Sequence, residues 1–254
     1  MTVPGPFVAD QLRSGDPYEL SNGHPIACLP TGRRGSTRNL IGGTALETDP
    51  KVPAAGVDLG VSTEPGMLRA PDIAVGPIED QSGWATTAPP LAVEYADVGQ
   101  DEDELQLKIR ELLAAGTKFI WVVRLVGPRR VEVHEPNKAK RVVTGDGVLK
   151  APGVLQNAVP LAVLYDRDAA HEATLRNLLQ RRGYEDLDDV LEEGREEGQL
   201  AALRTSILTV LQARRLPVSS AVKSRVRAEC DEATLTSWLR KAATAGKADD
   251  LFTR

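Results

Sequence analysis

The chain has 254 residues, 41% of them hydrophobic and 26% charged, with a net charge of −5 at pH 7. That length fits one large domain, or one domain with a smaller appendage, and the composition is that of an ordinary soluble globular protein. No run approaches the roughly 18 apolar residues of a transmembrane helix, and the opening MTVPGPFVADQLRSGDPYE lacks the basic start and apolar stretch of a secretory signal, so no membrane partner and a cytoplasmic address are expected.

Aromatic residues are only 4% of the chain, so the core must be built from Leu, Val, Ile and Ala. The first 35 residues carry two short candidate strands, 17–21 and 25–29, around the turn pair Asn22-Gly23. A helix is expected near 37–46 and a strand near 56–62. Stronger strand signals follow at 72–75 and 91–96, each opened by proline, with 78–88 between them as a loop. The clearest helix covers 101–115: Asp101, Glu102 and Asp103 suit the positive end of its dipole. Leu105, Ile109, Leu112 and Leu113 form its apolar stripe and Gly116 ends it. Strands are expected at 119–126, 130–135 and 140–144, and 159–165 reads as a last strand or extended edge.

After Asp166 the character becomes helical. Residues 167–182 form one helix, with Leu175, Leu178 and Leu179 on one face. A long helix over 184–215, weakened at Gly194 and Gly198, runs up to Pro217, and two or three short helices follow, one of them at 231–243. Its charge is polarised: 185–197 is strongly acidic, whereas 200–227 contains bases and no acid. The expected organisation is an α+β domain with a mixed β-sheet core flanked by helices over 1–166, then a helical C-terminal region over 167–254.

Chemistry concentrates on Asp72, Glu94 and Lys108. Glu94 interrupts an apolar strand, PPLAVEYA, where an unpaired carboxylate is expensive to bury. A bound cation offsets that cost. If strands 72–75 and 91–96 pair, both carboxylates meet at one place, with the backbone carbonyl of Tyr95 as a further oxygen ligand. Such a set suits Mg²⁺. Lys108 borders the buried stripe of its helix, from where it can reach the carboxylates, position a water and stabilise a phosphate. The plain structural alternative pairs Glu94 with Arg124 and lets Lys108 extend its amine to water. His24, His134 and His171 are scattered, and Cys28 and Cys230 match no zinc or disulfide spacing.

Over roughly 16–162 the sequence resembles the Uma family of restriction endonucleases, in the PD-(D/E)xK nuclease superfamily. The resemblance rests on GDPYELSNGHPI, APDIAV, PPLAVEYAD, LLAAGTKFIWVV and RRVEVHEP. It aligns Tyr18-Glu19-Leu20, Asp72, Glu94, Lys108 and Trp121 with the family's signature, and it implies a PD-(D/E)xK fold cleaving DNA with Mg²⁺, for which Mn²⁺ can substitute. Asp72, Glu94 and Lys108 are then the catalytic set, with Asp72, Glu94, the Tyr95 carbonyl and, less directly, Glu19 as metal ligands. This chain departs from the pattern at Ala96, where many relatives in the superfamily keep lysine, so Lys108 from the following helix must serve. Asp97 stands where many members have serine, and the histidine often found after the opening turn is absent around Gly35-Ser36-Thr37-Arg38. The tail is similar to the C-terminal region of recombination-promoting, transposase-like nucleases, which implies dimerisation or DNA contact; a homodimer is expected, because cutting duplex DNA takes two sites. The acidic net charge favours a competing reading, a catalytically silent binding or assembly module that kept the fold.

Overall fold

In the computed structural model, which describes residues 5–253, Asn22 and Gly23 turn the chain with φ of 48° and 75°. Two positive φ values in succession match the twist of a tight hairpin, and β1 (Tyr18–Ser21) pairs antiparallel with β2 (His24–Ala27). Helix α1 (Arg33–Glu47) is longer than expected and starts four residues earlier. Strand β3 is Ala54–Val57 rather than 56–62; beyond it, Val61 makes only isolated bridges.

The main sheet has six strands in the order β3-β4-β5-β6-β7-β8, where β4 is Ile73–Gly76, β5 Leu91–Ala96, β6 Phe119–Arg124, β7 Arg130–His134 and β8 Arg141–Thr144. All neighbours are antiparallel except β5 and β6. That parallel pair needs a crossover, and α2 (Glu102–Ala114) supplies it, capped by Asp101, whose side chain accepts from the amides of Asp103 and Glu104. One sheet face packs Ile73, Val93, Tyr95 and Trp121 with Ala45 and Leu46 of α1. The other packs Ala92, Ala96 and Val122 under Leu105, Ile109 and Leu112 of α2.

The expected strand over 159–165 is corrected. Only β10 (Val159–Pro160) is extended, paired with β9 (Val148–Leu149), and Leu161–Leu164 turns into a 3-10 helix. Helix α3 (Arg167–Arg181) buries Ala170, Ala173 and Asn177, while Leu175 and Leu178 are about half exposed, at 50% and 47%. Small residues face inward because α3 lies close against α1, with Asn177 Nδ2 donating to the Ala45 carbonyl at 3.0 Å.

By packing, the chain forms two compact units, one through Gly183 and one from Tyr184. The compositional change at 166 falls one helix before that boundary, because α3 belongs to the first unit. In the second unit α4 (Leu187–Ala213), α5 (Ser220–Ala228) and α6 (Glu232–Ala242) share a core of Ile207, Leu211, Val222, Val226, Leu235 and Trp238. No helix of the described residues is long and apolar enough to cross a membrane.

Candidate active site

Every residue of β5 is buried. Alternation along the strand sends Val93 and Tyr95 toward α1 and leaves Glu94 facing α2. There Lys108 brings its ammonium to 3.0 Å from Glu94 Oε1. The same Nζ is 3.1 Å from Glu19 Oε1 on β1 and donates to the Ala70 carbonyl at 2.7 Å. The ammonium is thus hydrogen-bonded once and ion-paired twice, while Glu94 Oε1 is left without a hydrogen-bond donor among the described residues. Glu94 does not pair with Arg124, which holds Glu102 and Glu132 instead, and Lys108 does not reach out to water.

Asp72 immediately precedes β4. Its Oδ2 accepts from the Tyr95 amide at 2.6 Å and its Oδ1 from Asn39 Nδ2 of α1 at 3.2 Å. The last β4–β5 pair is Ile73 with Val93, so Asp72 takes the amide left over where the ladder ends. A strand residue turns its N–H and C=O to the same neighbour, which puts the Tyr95 carbonyl on Asp72's side as well. The Asp72 carboxylate is thereby fixed from two directions.

Glu19 is positioned by an arginine that no pattern in the chain marks. Arg69, 1% exposed, donates to Glu19 Oε2 at 3.0 Å and to Glu104 at 2.7 Å, and also pairs with Glu111. It ties the β1–β2 hairpin to α2. Asp58, just after β3 with φ of 51°, is a second residue sequence reasoning missed. Its carboxyl is pushed up by burial and by Asp72 and Glu19, with Lys108 opposing. It falls inside the strand expected over 56–62, between Val57 and Leu59, where a carboxylate reads as the solvent-facing position of an alternating strand.

The charge balance is one-sided. Asp58, Asp72, Glu94 and Glu19 all act on a neighbourhood whose shared cation is Lys108. Burial raises the proton affinity of Glu94, Lys108 pulls it back, and Asp72 and Glu19 push it up again. Burial works against the charge on Lys108, yet Glu94, Glu19 and Asp72 outweigh it and raise its pKa. Carboxylate oxygens in excess, beside a strand carbonyl, form a hard-oxygen donor set that suits Mg²⁺ or Mn²⁺. Among the described residues no three His, Cys, Asp or Glu side chains converge as a ready-made cage. Mg²⁺ needs none, since it keeps several waters and takes one or two carboxylates.

A mixed sheet with carboxylates at its strand ends and a lysine on the crossover helix defines a protein of the PD-(D/E)xK nuclease fold. The Uma2 family, described as "Putative restriction endonuclease", matches residues 8–164, and the chain belongs to that family. Among solved structures, a putative nuclease of the DUF820 family from Anabaena variabilis is similar, with a TM-score of 0.54 at 20% identity over 65% of this chain and 99% of that one. None of the curated proteins matches.

Proposed function

We propose that the chain is a metal-dependent endonuclease hydrolysing phosphodiester bonds in DNA. Asp72, Glu94 and the Tyr95 carbonyl hold Mg²⁺, or Mn²⁺ in its place, and Glu19 is the further carboxylate on the lysine side. The observation that carries the reading is the buried Glu94–Lys108 pair beside a fixed Asp72, where carboxylates outnumber the ammonium they share. The cation supplies Lewis acidity and lowers the pKa of water. Asn39 and the Tyr95 amide keep Asp72 from rotating. Lys108, held charged by Glu19 and Glu94, donates to a non-bridging phosphate oxygen as negative charge develops there. A neighbouring carboxylate takes the proton of the attacking water. Cutting both strands of a duplex takes two such sites, so a homodimer is the working assembly in this reading.

The competing reading, a catalytically silent module, draws on the fact that Lys108 is already held by protein, hydrogen-bonded to the Ala70 carbonyl and ion-paired with Glu19 and Glu94. Calorimetric titration with Mn²⁺ separates the two. The nuclease reading predicts saturable binding that Asp72→Asn and Glu94→Gln each weaken by at least roughly tenfold, the scale at which altering a metal's ligand environment acts. Wild-type protein that takes up no Mn²⁺ supports the silent module.

A further inference from the structure

A second polar feature lies on the other side of α1 from the carboxylates. A cleft of about 440 Å³ runs between α1 and α3, lined by the cations Arg38 and Arg167 and by the His171 imidazole. Among the described residues none of these three side chains makes an ion pair or hydrogen bond with protein. No acid lines the cleft, whereas Thr37, Thr44 and Thr174 do. On α3 the separation is by face. Arg167, His171 and Thr174 fall on the helical spacing of one stripe, and Asp168, Glu172 and Leu175 fall on the next. In a chain of net charge −5, a cleft that sets two unpartnered guanidiniums and three hydroxyls beside the apolar walls of Leu40 and Ile41 suits an anion that also carries apolar surface.

Its position relates it to the carboxylates. Arg34, near the start of α1, bonds to Asp97 and to the Leu125 carbonyl, just past β5 and β6. Tyr165, just before α3, donates to the Arg130 carbonyl and lies 3.0 Å from the Arg124 carbonyl, where β6 ends and β7 begins. Both helices therefore begin at the end of the sheet where Glu94 and Tyr95 lie. Leu40 and Thr44 line the α1–α3 cleft and also a smaller one bounded by Asn39 and Ile73, the residues against Asp72. Arg38 is the chain neighbour of Asn39, and its charge is felt at the Tyr95 hydroxyl.

We propose that the α1–α3 cleft holds the sugar–phosphate backbone of the DNA strand flanking the phosphate to be cut, with Arg38 and Arg167 as its phosphate contacts. The identity of the polyanion rests on the nuclease reading; the cleft and its charges do not. Neither arginine is committed to a protein partner, so replacing them leaves the fold intact.

The test is binding of the full chain to a fluorescent DNA duplex, followed by anisotropy in Ca²⁺ in place of Mg²⁺ over a series of salt concentrations. Wild type is compared with the double variant Arg38→Ala/Arg167→Ala and with Lys150→Ala, an exposed cation outside the cleft. Two lost phosphate contacts make the slope of log Kobs against log salt shallower by about 2, with affinity at low salt down by roughly tenfold or more. Lys150→Ala should match wild type, and Mn²⁺ uptake should be the same in all three. A double variant with wild-type affinity and slope overturns the inference while leaving the nuclease reading in place. DNA binding that needs Arg38 and Arg167 in a protein that cleaves nothing with any metal supports the cleft and removes the nuclease reading. Wild type that binds no DNA overturns the cleft.

Discussion

Lys108 and Glu94 form a pair that neither partner can leave cheaply. A buried ion pair gains little over an apolar pair of the same size, but removing one partner strands the other. Lys108→Met fills similar volume and leaves Glu94 without its cation, while Glu19 keeps Arg69. In metal-free protein it should cost about 3–5 kcal/mol, and adding Glu94→Gln should recover part of that loss, which urea unfolding of both single variants and the double variant will show. His134 makes a separate, pH-dependent contribution. Its ring is buried with Nε2 unbonded and 3.9 Å from Glu132, and burial lowers its pKa despite the attraction of that carboxylate. A group with a lowered folded pKa gives stability above its unfolded pKa, about 6.5 for histidine, and loses it as pH falls through its folded value. The urea midpoint should therefore drop between about pH 7.5 and 5.5, and His134→Gln should flatten part of that drop; an unchanged slope would assign it to other groups. Glu94 was legible in the sequence because it interrupts an apolar strand, and Lys108 because it borders the buried stripe of its helix. Asp58 and Arg69 were not: Asp58 reads as the outward polar position of an alternating strand, and Arg69 sits between regular elements, where pattern carries no information.

Elements were read best where periodicity and punctuation agree. The hairpin at Asn22-Gly23, strand β5 and the acid-led helix α2 occur where their residues place them. The face of α3 was not legible, since the leucine spacing marks a stripe that ends half exposed. The buried face follows instead from contacts with a helix far away in sequence. Arg181 at the end of α3 shows what those contacts are worth. It donates to the carbonyls of Glu47, Thr48, Asp49 and Val52 at 2.8–2.9 Å, satisfying acceptors left open where α1 ends. Arg181→Ala should lower stability by about 2 kcal/mol, within the range for hydrogen bonds to a charged group, seen as a lower urea midpoint with an unchanged slope. A loss confined to a few tenths would mean that water replaces the guanidinium at those carbonyls.

At the scale of the molecule, charge is organised locally. Acids crowd the strand ends around Lys108, bases without protein partners line the α1–α3 cleft, and the acidic stretch 185–197 lies in the helical unit. Family resemblance implied a mixed sheet flanked by helices, while the boundary between units depended on where α3 packs. The central claim is that Asp72, Glu94 and Lys108 act together on a phosphodiester. Its most direct test is nicking of supercoiled plasmid with Mg²⁺ or Mn²⁺ by wild type and by folded Asp72→Asn, Glu94→Gln and Lys108→Ala variants. The account predicts metal-dependent nicking by wild type that each substitution reduces by a hundredfold or more, roughly the scale of losing one preorganised charge-stabilising group. Nicking that persists in all three variants would contradict it.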